Sequence, residues 1–515
     1  MGEALGSGGM MRKVAVLSAL LFLLCVASSF LYVQLTKALA RTPCCGDDAY
    51  FSLVAKNLAL NGSYSAPLSS DTVSLFDPEI TSGPGLILPG AAMIALIGAQ
   101  PWAASLTTIL LFAATLTLMT MLLATRFQLA NVFLYSALCL LALVAITPRQ
   151  DAYFAFLGEA PAFGYLIVGC ALLATSRCRA SWVLLSALCI SLALLTKHLA
   201  LFCALGATGA WFLRELYLNR SRAIGLMGVF LVGVAGPLAA FELVKVSVLG
   251  LSGFIAHWRG YLGWVSLLHV RPTDPLGVFL ETINQPYVVT VSAALFALAS
   301  LILTAILSVR RGWRTDEPIF GLMLFAGAIV HFLYIFFISN LGPRYFWIGM
   351  AMSVFAVMSP VLFLRLRFAL PVAVAALAFV ATPSAVVNAY RIQLALTDGR
   401  LAHEREIVLR EIANHPDLPI VSQWWGSIYD IIYLLNDNHP WYMTNDEQKV
   451  PTLRALFITF DTFSLKNSPF YSLVHRLCER VHPELTFYEV FTCVGGKPVA
   501  GESVIVPSEP LNIGR

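Results

Sequence analysis

Charge is scarce in this chain. Only 12% of its 515 residues are charged, while 58% are hydrophobic; soluble domains carry about 25% charged residues. A water-soluble fold of this length has too little polar surface to cover so much apolar material, so lipid has to act as solvent for much of it. Long runs of like charge are missing too. The net charge is only +4, and basic residues come in ones, twos and threes, which excludes the basic stripe of a nucleic-acid-binding protein. The ten cysteines contain no CxxC pair and no Cys/His cluster at zinc spacing, so no zinc site is expected. Cys25, Cys139, Cys170, Cys189 and Cys203 lie inside apolar segments and read as small core residues. Cys44, Cys45, Cys478 and Cys493 fall outside those segments, and the last two can pair if their side of the membrane is oxidising. No internal repeat is present.

What the chain does have is apolar segments long enough to cross a bilayer. Arg12 and Lys13 precede the run 14–33, which is longer than the roughly 7–15-residue core of a signal peptide and close to the roughly 20 residues of a membrane helix. It reads as a retained first span with a cytoplasmic N-terminus. The stretch Gly85–Ala99 is apolar but short, and Pro89 and Gly90 interrupt it, so it suits a re-entrant or interfacial segment. Without it, the spans are 14–33, 102–125, 129–147, 160–176, 180–196, 199–213, 223–247, 288–309, 318–338, 345–363 and 368–387. Alternate loops then carry Arg126; Arg177 and Arg179; Arg214, Arg220 and Arg222; Arg310, Arg311 and Arg314; Arg365 and Arg367. This is the positive-inside pattern, and it selects eleven spans with the C-terminus outside.

The outer face thereby receives a first loop (34–101), a loop over 248–286 and the tail. Charge density rises in the tail and long apolar runs stop. Leu418–Ser422, Trp441–Thr444, Arg454–Phe460 and Glu502–Val506 read as strands, Gly426–Leu435 and Pro469–Val481 as helices. The expected architecture is an all-α polytopic membrane domain over 1–390 and a small α/β extracytoplasmic domain over 391–515.

Chemistry-bearing residues collect on the outer face. Asp47 and Asp48 open a helical pattern that Asn61 and Gly62 close; Asp47 also suits a helix N-cap and Asp48 a first-turn acid. Phe76-Asp77-Pro78-Glu79 and Thr81-Ser82-Gly83-Pro84 follow in the same loop. Glu159, in Leu157-Gly158-Glu159-Ala160-Pro161, stands at the lip of a span, where a carboxylate is costly and marks a functional candidate. Lys197 and His198 end the fifth span, and Arg344 and Tyr345 begin the tenth; snorkelling or interfacial anchoring would explain the two cations equally. Carboxylates on one wall and cations on another suit an acid–base step with an anionic leaving group, as in a sugar linked to a polyprenyl phosphate.

Asp47-Asp48-Ala49-Tyr50, with Ala55, Asn57, Leu58, Gly62 and Tyr64 behind it, resembles the signature of the PMT-type membrane glycosyltransferases of the GT-C fold. Thr81–Pro84, Leu157–Pro161, Thr196-Lys197 and Pro343-Arg344-Tyr345 resemble that family's later landmarks in the same order. The family includes protein O-mannosyltransferases and lipid A aminoarabinose transferases. Asp48 departs from the more frequent Glu, and the tail matches nothing in the pattern. The resemblance implies an inverting transfer from a polyprenyl-phosphate sugar to a lipid, glycan or protein acceptor, at the periplasmic face of a bacterial inner membrane. Asp47 would be the general base and Asp48 would orient the loop or the acceptor. Lys197, His198 and Arg344 would receive the phosphate, with Tyr345 beside them. Glu159 would bind sugar hydroxyls or, with Asp47, a divalent cation, although no cofactor is required. A transporter or flippase is the rival from another class, but it predicts repeated halves and broken midplane helices; a polysaccharide polymerase or ligase would share the donor but not the acidic pair.

Overall fold

A computed structural model describes residues 28, 31–33, 35–37, 46–147, 153, 155–176, 179–268, 319–337, 343–363, 399–423, 428–435, 439–444, 447–460 and 468–494. The described chain is mainly helical. Helix α1 (Asp47–Asn61) is followed by a hairpin of β1 (Ser65–Pro67) and β2 (Val73–Leu75), then by α2 (Pro84–Ile97). Next come α3 (Ala103–Ala124), α4 (Leu129–Ile146), α5 (Glu159–Thr175), α6 (Ala180–Thr196), α7 (Ala200–Leu218), α8 (Arg220–Leu268), α9 (Ile319–Phe337) and α10 (Trp347–Met358). Among the described residues, α3 and the 220–263 part of α8 are long and apolar enough to cross a membrane; α2, α4, α5, α6, most of α9 and the 347–362 segment are shorter apolar helices. Six expected spans, from the second to the sixth and the ninth, coincide with helices. The first lies almost wholly outside the described residues, and the eighth and eleventh lie entirely outside them.

One expectation needs correction: the first arm of α8 ends close to the expected boundary of the seventh span at 247, but the residues after it, expected as an outer loop, are helical. The chain stays helical to Leu268 across one break, at Gly250 (φ 67°, ψ 170°). There it doubles back, so that Glu242 meets Trp258 and Lys245 meets His257. Hydropathy could not distinguish a second helical arm from a loop. The tenth span is α10 plus a 3-10 turn, Ser359–Leu362, because Pro360 cannot continue an α-helix.

Helices α3, α5 and α10 meet around Trp347. Its ring lies edge-on to Phe112, Tyr153 and Phe163, 5.7–6.3 Å away, and its indole N–H donates to Thr147 Oγ1 (3.4 Å). Rings at such angles present positive edges to negative faces, and with the indole bond they tie Thr147 and Tyr153 to α10.

The tail begins with helix α11 (399–414). A five-stranded mixed sheet follows in the order β4-β3-β5-β7-β6, formed by β3 (Ile420–Ser422), β4 (Trp441–Met443), β5 (Arg454–Phe460), β6 (Glu479–Arg480) and β7 (Tyr488–Val494). Strands β4, β3 and β5 are parallel; β7 is antiparallel to β5 and β6. Helix α12 (Tyr429–Leu434) packs on one face with α1, whereas α13 (Pro469–Leu477) covers the other. The helix expected over 469–481 stops at Leu477 because Cys478 is bonded to Cys493 and the next residues pair with β7. The strand expected over 502–506 lies outside the described residues.

Candidate active site

Gly46 takes the left-handed φ of 71° and is the N-cap of α1, so Asp47 is the first helical residue and not the cap. Asp47 is half-buried. Asp48 is 2% exposed, and its Oδ1 accepts the Phe156 amide at 2.7 Å. This bond ties α1 to the turn before α5. Helix α1 also carries Tyr50, whose ring stacks on Tyr429 of α12 at 5.3 Å. The Tyr429 hydroxyl donates to the Pro67 carbonyl (2.8 Å), and Tyr433 donates to the Gln100 carbonyl (3.1 Å). Asp77 accepts the Glu79 amide at 2.9 Å in a tight turn. Burial, then Asp77, Tyr429 and Glu79, push the Tyr50 phenol far above its ordinary range, so these carboxylates face the same side of α1.

Four segments scattered through the sequence converge on Lys197. Its side chain is 2% exposed, and its Nζ lies 3.4 Å from Glu159 Oε1. It donates to the Leu157 carbonyl (3.1 Å) and to Ser82 Oγ (3.4 Å). The rings of Phe51 and Tyr345 lie 5.5 and 5.8 Å from it. Ser82 Oγ donates to the same Leu157 carbonyl (2.7 Å), and the Gly83 amide to the Thr196 carbonyl (3.1 Å). Two glycines make this approach possible. Gly158 has a φ of 93°, and a Cβ on Gly85 would lie 2.2 Å from Thr196 Oγ1. The cation was expected to face a ligand; it is instead enclosed with a carboxylate of its own.

His198 follows at the outer turn, its Nδ1 2.6 Å from the Tyr261 hydroxyl. The residue as a whole is exposed; the protein packed around the ring, then Lys245 and Lys197, push the imidazole down to about 4. Arg344 lies in the 3-10 turn Pro343–Phe346, directly before Tyr345; its side chain lies outside the described atoms. The Tyr345 carbonyl is 2.9 Å from His331 Nε2. Asp47, Asp48, Glu159, Lys197, His198 and Tyr345 are thus gathered around one end of the helical layer.

A second cluster borders the first. Lys245 Nζ is 2.9 Å from Glu242 Oε1 and 3.4 Å from His257 Nε2; Trp258 donates to Glu242 Oε2 at 3.0 Å. The Phe241 and Trp258 rings flank the ammonium at 4.8 and 5.4 Å. A Cβ on Gly260 would meet Pro78 at 3.2 Å, so the second arm of α8 lies against the first loop. The sequence reading passed over these residues, although an acid and a base within an apolar run are a signal in themselves. Among the described residues, no three His, Cys, Asp or Glu groups form a cluster that could hold a metal ion.

No protein-family model matches the chain, and no curated protein matches it significantly. Solved structures do. ArnT from Cupriavidus metallidurans in the apo state superposes with a TM-score of 0.55 at 15% identity, over 96% of this chain and 100% of that one. The same enzyme bound to undecaprenyl phosphate gives 0.52 at 14%, with the same coverage. The apo oligosaccharyltransferase of Archaeoglobus fulgidus gives 0.52 at 13%, over 91% of this chain and 70% of that one. The protein shares their fold, which is the GT-C fold that the acidic motif implied.

Proposed function

We propose that this protein is an inverting glycosyltransferase that takes a sugar from a polyprenyl phosphate and places it on an envelope acceptor at the outer face of a bacterial inner membrane. The observation that carries the reading is the convergence at Lys197. Segments 81–85, 157–159, 196–197 and 345 are far apart in sequence and meet beside the acidic pair of α1. These are the segments that resembled successive family landmarks. The fold shared with ArnT, a protein solved with undecaprenyl phosphate, supports a lipid-phosphate donor. The disulfide between Cys478 and Cys493 supports an oxidising, extracytoplasmic location for the unit over 391–515, with the GT-C unit over 1–390.

In this reading Asp47 removes the acceptor hydroxyl proton as that oxygen bonds to the anomeric carbon. The bond from that carbon to the phosphate oxygen breaks, and its electron pair leaves with the lipid phosphate. A positioned base contributes about 10²–10⁴ in rate. Asp48 holds the loop, and the Glu159–Lys197 pair fixes the floor on which donor and acceptor meet. Purified protein should consume a radiolabelled polyprenyl-phosphate sugar and label an acceptor fraction from envelope extracts, and Asp47→Asn should abolish the label. Label transfer that persists in Asp47→Asn would remove the base assignment, and donor left intact by the wild type would remove the reading.

A further inference from the structure

Lys197 is poorly placed to receive a phosphate. It is buried against Glu159, and drawing it toward a ligand would strand that carboxylate without a partner, a costly state in a desolvated site. The bordering cluster on α8 has the capacity that Lys197 lacks. An ammonium has three donors. For Lys245, Glu242 Oε1 and His257 Nε2 take two of them. His198, an exposed residue, meets Tyr261 through Nδ1. Lys245 is buried and paired as well, but Glu242 is about a third exposed and keeps the Trp258 N–H as a partner when the ammonium turns to an added anion. The position along α8 fits as well. With Arg220 at the inner end, Lys245 lies about 37 Å up the axis at 1.5 Å per residue, just beyond the roughly 30 Å hydrocarbon core. A lipid phosphate would lie at that level.

Resting on the glycosyltransferase reading, we infer that Lys245, with His198 and Tyr261, seats the phosphate of the polyprenyl donor, and that Glu242 occupies the seat as a stand-in anion until the donor arrives. The Gly250 reversal brings the second arm of α8 back over Lys245, and the contact of Gly260 with Pro78 holds that arm against the loop carrying Asp77 and Glu79. The seat therefore borders the acidic wall.

The two halves of the ion pair give the test its sign. Full-length protein in nanodiscs is titrated with undecaprenyl phosphate, with undecaprenol, and with inorganic phosphate as competitor. Lys245→Gln should weaken undecaprenyl phosphate binding about tenfold or more, as expected for removing one partner of a close charge pair, and Lys245→Arg should restore most of it. Glu242→Gln keeps an acceptor for Trp258 but removes the competing charge, so its affinity should equal or exceed wild type. If the pair only clips the two arms of α8 together, both glutamine variants weaken binding alike, and the inference falls. It falls also if Lys245→Gln binds as wild type does, or if undecaprenol binds as well as its phosphate. Displacement by inorganic phosphate at equal concentration would overturn the lipid as its source. A wild-type protein that binds no undecaprenyl phosphate would overturn the donor assignment itself, a result distinct from all of these.

Discussion

The Asp48 Oδ1 that accepts the Phe156 amide is not available to a substrate, whereas Asp47, the first residue of the same helix, is only half-buried. Their substitutions should therefore separate. Asp47→Ala should unfold at the wild-type temperature and lose at least about 100-fold in transfer, the lower range for a positioned base; retention of more than about a tenth of wild-type activity moves the role elsewhere. Asp48→Ala should leave the buried Phe156 N–H unpaired and cost about 1–3 kcal/mol of stability, while Asp48→Asn keeps an acceptor and loses less. Thermal unfolding and transfer rate, measured on all three proteins, distinguish the roles. Arg344 has a parallel test. A guanidinium grips phosphate oxygens through two parallel donors, which lysine cannot do. If Arg344 touches the donor, Arg344→Lys should keep some donor binding and lose much of the rate, and Arg344→Ala should lose both. A fully active, normally expressed Arg344→Ala would remove Arg344 from the site.

Element α2 shows what could be read from sequence and what could not. Its 14 residues make about 21 Å of helix, too short for a span, as the length of the 85–99 run and its Pro89 indicated. The same reading gave β5 its observed ends, Arg454–Phe460, and placed Glu159 and Lys197 at the lips of their helices. It could not pair Glu159 with Lys197, because periodicity carries no information about contacts 38 residues apart. Strand β7 was missed for a similar reason. It is buried at nearly every position, so it lacks the alternation that marks a half-buried strand. Helix α11 was not anticipated either, yet it carries Glu404, whose oxygens accept the Thr486 hydroxyl and amide and the Phe487 and Tyr488 amides at 2.6–3.2 Å. Burial opposes ionisation there, but these four donors outweigh it and hold the carboxyl below its usual range. A depressed folded value stabilises the protein fully above the unfolded value, and that stability is lost as pH falls through the folded one. Glu404→Gln should accordingly cost about 2 kcal/mol near neutrality and flatten the acid limb of a stability–pH curve for the tail. Parallel wild-type and mutant curves between about pH 5 and pH 3 would show that Glu404 is not the titrating group. The seat of α2 yields a further outcome. Gly85→Ala should press on Thr196 Oγ1 and the Leu192 carbonyl, cost about 1–3 kcal/mol through overpacking, and lower transfer by displacing the neighbouring Lys197.

At the scale of the whole molecule, orientation links fold to function, because a lipid-phosphate donor, the acidic pair and the tail must share one face. The tail contacts the site directly: Tyr429 on Tyr50, Tyr433 on Gln100 and the Ser69–Tyr442 bridge all join 399–494 to the first loop. Whichever side holds the tail therefore holds Asp47. Two independent features favour the outer side. The alternate arginine-bearing loops assign the tail to the outside if α2 does not cross, and its short length argues that it does not. The Cys478–Cys493 bond, between the end of α13 and β7, belongs in an oxidising compartment. A phosphatase reporter joined after Arg391 should thus be active in cells while a cytoplasmic reporter at the same position stays silent. In the same cells, Cys478 and Cys493 should resist a thiol-reactive label until a reductant is added. The reverse reporter pattern would mean that 85–99 crosses the bilayer after all. The active end of the molecule would then face the cytoplasm, and an envelope acceptor would be out of its reach.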